Sequence, residues 1–244
     1  MNTLKNIIKR LLKLRASPTA AFCSYHYQRI NQRRQEHLGS LGLKIAGSTV
    51  LEVGAGIGDH TSFFLDRGCQ IVSTDAREEN LRILGARYQH ITVTHLDLDD
   101  PGRVPWNERF DIIYCYGVLY HLKNPAKALE FMSRWCLRMF LLETCVSFGK
   151  EDMVNPCEED LAKPTQSVSG GGCRPTRRWI YNELRRHFEF VYLPISQPYH
   201  EEFPIDWTSP PSTQSLTRAV FIGSRMQIDD ERFTAEIPMV QIRE

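Results

Sequence analysis

The stretch "TVLEVGAGIGDHT", Thr49 to Thr61, sets Glu52 two residues before a series of alternating glycines, Gly54, Gly56 and Gly58. Glycines where a strand turns into a helix permit positive φ and let a ligand lie against the main chain. Asp59 stands where the dinucleotide fingerprint G-x-G-x-x-G needs its third glycine. A carboxylate there repels a pyrophosphate, so the spacing favours a nucleoside cofactor without phosphate. S-adenosylmethionine, with a sulfonium and a zwitterionic amino-acid tail, fits that description. The same residues also admit a plain glycine-rich turn.

Two later carboxylates separate these readings. Asp75 closes "IVSTDARE", with Ala76 beside it, at the distance from the glycines where an acidic side chain accepts hydrogen bonds from ribose hydroxyls. Asp97 in "VTHLDLDD" is placed to accept from an adenine amine, with Leu98 packing on the ring. Each signal alone is weak, and their order along the chain is what carries the reading.

Candidate acceptor chemistry comes later in the chain. His121 follows the fourth expected strand, where an acceptor should sit, and an imidazole suits proton removal near neutral pH. It serves equally well as a cap of the strand-to-helix loop, and Tyr120 either orients the acceptor or lines the pocket. "GGGCRPTRRW" offers Arg174 and Arg177 to a carboxylate or phosphate, and "QPYHEEFPIDW" offers His200, Glu201 and Trp207 to a polyhydroxylated molecule. Cys157, Cys173, His187 and His200 match no zinc spacing, and no metal is expected.

These residues need a scaffold of alternating strands and helices. Strands are predicted at Thr49–Val53, Gln70–Thr74, Ile91–Leu96, Phe110–Cys115, Met139–Thr144, Glu189–Leu193 and Arg218–Gly223, and helices at Ala20–Leu38, Asp59–Arg67, Glu78–Tyr88, Pro125–Trp135 and Thr176–Phe188. The pattern implies an α/β domain over 48–244, behind a helical segment 1–47. Two irregular stretches, 146–175 and 194–217, follow strand ends and are expected to fold over the cofactor as substrate loops. Leu4, Ile7, Ile8, Leu11 and Leu12, set among lysines and arginines, predict a basic amphipathic helix for dimer contact or peripheral membrane contact.

Composition bounds the function. With 30 basic and 29 acidic residues among 244, no global field draws the chain to nucleic acid. The seven cysteines are scattered and unpaired in spacing, which suits reduced thiols and a cytoplasmic setting.

"LEVGAGIGDHT", "STDARE", "HLDLDD" and "FDIIYCYGVLYHLKNPAKALEFM" together resemble the successive motifs of class I S-adenosylmethionine-dependent methyltransferases. "GVLYHLKNP" followed by "LLET" is similar to the wobble-uridine carboxymethyltransferases and to related small-molecule and sugar methyltransferases. The resemblance implies a Rossmann-like, doubly wound, mostly parallel seven-stranded sheet with its last strand antiparallel. It makes Gly54, Ala55 and Gly56 the backbone floor of the cofactor and Tyr116 a wall near the methionine moiety, with Tyr120 facing the transferable group. The activity expected is O-methylation of a small molecule or glycan. Modification of a transfer-RNA wobble base and a non-catalytic cofactor-binding scaffold are the alternatives.

Overall fold

The computed structural model describes residues 18–211 and 216–243. The basic amphipathic helix expected around Leu4–Leu12 lies outside the described residues. Helices α1 (Pro18–Phe22) and α2 (Tyr25–Ser40) replace the single helix expected over Ala20–Leu38. The break falls at Ser24, whose extended backbone and hydroxyl, accepting from Tyr27 N, make it the N-cap of α2.

Strands β1 (Thr49–Val53), β2 (Gln70–Asp75), β3 (Thr92–His95), β4 (Phe110–Tyr116) and β5 (Cys136–Cys145) are mutually parallel, in the spatial order β3-β2-β1-β4-β5. Helices α3 (Thr61–Leu65), α4 (Glu78–Arg87) and α5 (Pro125–Arg134) make the crossovers after β1, β2 and β4. Strands β1 and β4 are almost wholly buried, which is why both are mainly apolar, interrupted by Glu52 in one and Asp111 in the other. Their side chains alternate between two cores: Leu51, Val53, Ile113 and Cys115 face one, while Val50, Ile112 and Tyr114 face the other. The chain proceeds outward from β1 on one side and from β4 on the other. The two strands therefore bracket a topological switch point, with Gly54 at the end of β1 and Gly117 at the end of β4.

The first irregular stretch contains an antiparallel pair, β6 (Pro156–Glu158) and β7 (Gly171–Cys173), and ends in helix α6 (Arg177–His187). Thr176 caps α6 by accepting from Trp179 N at 3.2 Å. Strand β8 (Phe190–Pro194) and the short β9 (Ser196–Gln197) follow, and β10 (Arg218–Ser224) then inserts between β8 and β5, antiparallel to both, as expected. Beyond the seven expected strands, β11 (Phe233–Thr234) adds two residues on the edge of β8, and β12 (Ile242–Arg243) pairs with β9. The sheet thus has eight strands. The additional one is too short to leave a periodic signal.

Candidate functional site

Two adjoining clefts open at the carboxyl ends of β1 and β4, where the switch point places a ligand. They share Phe22, Tyr27, Val53, Gly54 and Gly117. Gly54 and Gly56 hold φ of 65° and 59°. A Cβ on Gly54 would stand 2.3 Å from Val118, and one on Gly56 2.8 Å from the Phe22 ring, so side chains there would fill the floor. Gly58 lines neither cleft. Its φ of 86° lets it pass 2.5 Å from Leu84 and 2.6 Å from Tyr88, counted from an added Cβ, so it serves helix packing and not the cofactor floor.

The first cleft is walled by Asp75, Ala76, Asn80, Asp97 and Leu98. Asp75 ties the turn together: Oδ2 accepts from Gly56 N at 2.9 Å, and Oδ1 accepts from Arg77 N and Asn80 Nδ2 at 2.8 and 3.0 Å. Burial raises its carboxyl above the ordinary range, against the pull of those donors. Asp97 accepts from Asp99 N and faces the cleft beside Leu98. Over this cleft lies the segment 164–168 of the first irregular stretch, anchored by Arg77 Nη2, which donates to the Gln166 and Ser167 carbonyls at 3.0 Å each.

The second cleft takes Asn31 and Arg34 from α2, Glu52, Ala55, Asp59, His60, Tyr114 and Tyr116. Arg34 is only 4% exposed; its Nη2 meets Glu143 Oε2 at 2.6 Å and its Nη1 donates to Asn31 at 2.9 Å, while Nε has no partner among the described residues. Among the described residues, His60 Nε2 and Tyr116 Oη are also buried without partners. Three orphaned polar atoms around one cleft, beside the carboxylates of Glu52 and Asp59, match the needs of an amino acid's carboxylate and ammonium. The residues present therefore fit S-adenosylmethionine, with adenosine toward Asp75 and Asp97 and the tail toward Arg34. Burial pushes Glu52 up to about 7, although Ser73 and Thr61 donate to it, and pushes His60 down to about 3.

His121 closes the first cleft from the 3-10 turn Leu119–His121. Its Nδ1 lies 2.5 Å from Glu159 Oε2, and Arg174 Nη2 meets the other oxygen of that carboxylate at 3.3 Å. Burial holds the imidazole below its usual range despite the carboxylate; Glu159 is held low by the His121 hydrogen bond, overcoming its own desolvation. Both directions describe an ionised Glu159 accepting from a neutral ring. The proton then sits on Nδ1, and Nε2 keeps its lone pair.

Tyr120 lines neither cleft. Its ring lies between the guanidinium groups of Arg174 and Arg218, each 5.0 Å from the centroid, and burial raises its phenol well above the ordinary value. It braces the site and is no base. The five substrate candidates fall in three places. Arg174 supports Glu159; Arg177 and Trp207 stack in a separate cavity; His200 and Glu201 meet α2, where Arg29 holds Glu201 through two bonds of 2.7 and 2.5 Å. His26, His200 and Glu201 cluster closely enough to suggest a metal. However, His200 Nδ1 accepts from Glu202 N, which leaves a hydrogen on Nε2, and Arg29 occupies Glu201. Neither group offers its lone pairs to a cation.

Residues 22–189 match a family model described as a methyltransferase domain. Among curated proteins, a ubiquinone biosynthesis O-methyltransferase of Psychrobacter arcticus is 28% identical over 106 residues, covering 39% of this chain and 39% of that protein. A tRNA U34 carboxymethyltransferase of Shewanella denitrificans is 30% identical over 142 residues, covering 54% of this chain and 41% of that protein. The matches thus span about two-fifths of these relatives' length. Among solved structures, the N-terminal domain of EvdMO1 in the presence of SAH and D-fucose superposes with a TM-score of 0.57 at 18% identity, over 80% of this chain and 82% of that one. Magnesium protoporphyrin IX methyltransferase from Synechocystis, with bound SAM, gives 0.51 at 15% identity, over 82% and 80%. At such identities these two likenesses concern the fold.

Proposed function

We propose that this chain, which belongs to the class I S-adenosylmethionine-dependent methyltransferases through its methyltransferase domain, methylates an oxygen of a small molecule or glycan. The observation that carries the reading is the His121–Glu159 pair at the edge of the glycine-floored cleft. S-adenosyl-L-methionine is the cofactor, and when bound it supplies a methyl group made electrophilic by its sulfonium. The chain positions and deprotonates. Asp75 would accept from the ribose hydroxyls, Asp97 from the adenine amine, and Arg34 Nε would donate to the tail carboxylate. His121 Nε2 would take the acceptor's hydroxyl proton as the oxygen gains the methyl group and the sulfur–methyl bond breaks, its electron pair leaving on the sulfur of S-adenosylhomocysteine, while Glu159 fixes the opposite ring nitrogen and steadies the imidazolium. The relatives named as ubiquinone biosynthesis O-methyltransferases support an oxygen acceptor.

A second reading, modification of a transfer-RNA wobble base, is favoured by the 142-residue match to the carboxymethyltransferase. It needs a phosphate-binding surface, which a net charge of +1 does not supply globally.

Transfer of label from S-adenosylmethionine to a panel of catechols, hexosides and transfer RNA tests both. Label should enter an oxygen acceptor, and His121→Ala should lower kcat by roughly 10²–10⁴-fold with cofactor affinity little changed. Label in transfer RNA alone would install the second reading. Cofactor binding without turnover on any acceptor would leave a scaffold.

A further inference from the structure

A cavity separate from the two clefts lies between the two irregular stretches, lined by Phe148, Lys150, Arg177, Arg178, Ile237 and Met239. Arg177, the first residue of α6, is 7% exposed. Its guanidinium lies over the Trp207 ring, 3.8 Å from the centroid, and its Nη1 donates to the Pro238 carbonyl at 2.8 Å. Phe148 covers Trp207 as well, with centroids 5.0 Å apart. Trp207 itself is fixed by its indole nitrogen, which donates to Gln241 Oε1 at 2.8 Å.

What is missing is an anion. The other deeply buried arginines, Arg34 and Arg218, each pair with Glu143. Among the described residues no carboxylate pairs with Arg177, and burial alone pulls its guanidinium down to about 9. An unpaired buried cation is costly. A protein retains one where a ligand completes it. Lys150 and Arg178 add positive charge at the cavity mouth against the single carboxylate of Glu151. The apolar wall is partly open to solvent, with Met239 41% exposed.

We propose that this cavity binds a small organic acid, with its carboxylate or phosphate on Arg177 and its apolar body against Phe148, Ile237 and Met239. The ligand is the non-reacting end of the methyl acceptor, a link that rests on the proposed O-methylation. Arg174, which supports the His121–Glu159 pair, stands three residues before Arg177, and three residues span at most about 11 Å. The Cα of Arg177 therefore lies within about 11 Å of that of Arg174.

Calorimetry of the full chain, with and without S-adenosylhomocysteine, against benzoate, phenyl phosphate and benzyl alcohol tests the site. Both acids should bind at least tenfold more tightly than the alcohol, and the tighter of the two identifies the anionic group. Arg177→Met should weaken both acids at least tenfold and leave the melting temperature unchanged or higher, whereas a merely structural arginine would lower it. Equal binding of the alcohol, no binding of either acid, or unchanged binding by Arg177→Met overturns the proposal. If Arg177→Met fails to fold, the exposed pair Lys150→Gln and Arg178→Gln decides: it should weaken both acids at least threefold, and no effect overturns the site. Methyl transfer is not read by this measurement. Absence of acid binding with intact turnover would sink the anion site alone, and acid binding without turnover on any acceptor would sink the transferase reading alone.

Discussion

His121 and Glu159 stand 38 positions apart in sequence and 2.5 Å apart in space. Their coupling has a measurable sign. A general base works unprotonated, so kcat falls as pH drops through the histidine's pKa, which burial places below 6.5. Glu159 raises that pKa, so Glu159→Gln should shift the acid limb to lower pH and lower the plateau by roughly 10–100-fold, as a weaker base with a less secure tautomer requires. A plateau that drops without movement of the limb would make Glu159 a purely structural prop. The histidine was legible in the sequence because it follows the fourth strand in "GVLYHLKNP". Its partner was not, since Glu159 is one of several acidic residues in "CEEDLAK" and only the β6–β7 pair brings it to the site. Arg34 was hidden for a related reason: a basic residue on a helix reads as solvated until Glu143, 109 residues away, gives it a buried partner.

At the scale of elements, long and apolar strands were legible and contact-dependent ones were not. The expected β1 coincides with Thr49–Val53, and β4 and β10 extend only one residue beyond their predicted ends. β5 begins at Cys136, three residues earlier than expected, because Leu137 and Arg138, less buried than the rest of the strand, fall at an irregularity between the Phe110–Cys136 and Ile112–Met139 pairs. The grouping of Gly54, Gly56, Asp75 and Asp97 was legible because strand ends carry all four to one cleft. The first irregular stretch covers the first cleft through residues 164–168, tied down by only a few bonds, chiefly those of Arg77. Segments held so lightly open at low free energy. Hydrogen exchange in 160–169 should therefore slow when S-adenosylhomocysteine is bound, while β4, already buried, stays unchanged. Equal exchange with and without saturating ligand would remove this segment as a cover.

For the molecule as a whole, opposed buried groups shape the pH dependence of stability. His60 and His200, pushed to about 3 and about 4, and His121, also lowered, bind protons more readily when unfolded. Stability therefore rises with pH up to about 6.5. Glu52, raised to about 7, binds its proton more tightly when folded and works against this between about 4.5 and 7, by on the order of 3 kcal/mol across the window. Glu52→Gln keeps the acceptors for Ser73 and Thr61 and removes that opposition. Its melting temperature should climb more steeply from pH 4.5 to 7 and exceed the parent's above neutrality; superimposable curves would show that Glu52 titrates normally. The order of the sheet has a further consequence, for biosynthesis. Strand β10 is the wedge between β5 and β8, and its Arg218 is one of the two cations on Glu143. On the ribosome, β8 emerges with no neighbour to join, and Glu202 waits for its guanidinium partner until residue 218 follows. Premature termination between Glu202 and β10 leaves an open sheet edge and Glu202 without its guanidinium together, so quality control can discard such fragments before they compete for cofactor.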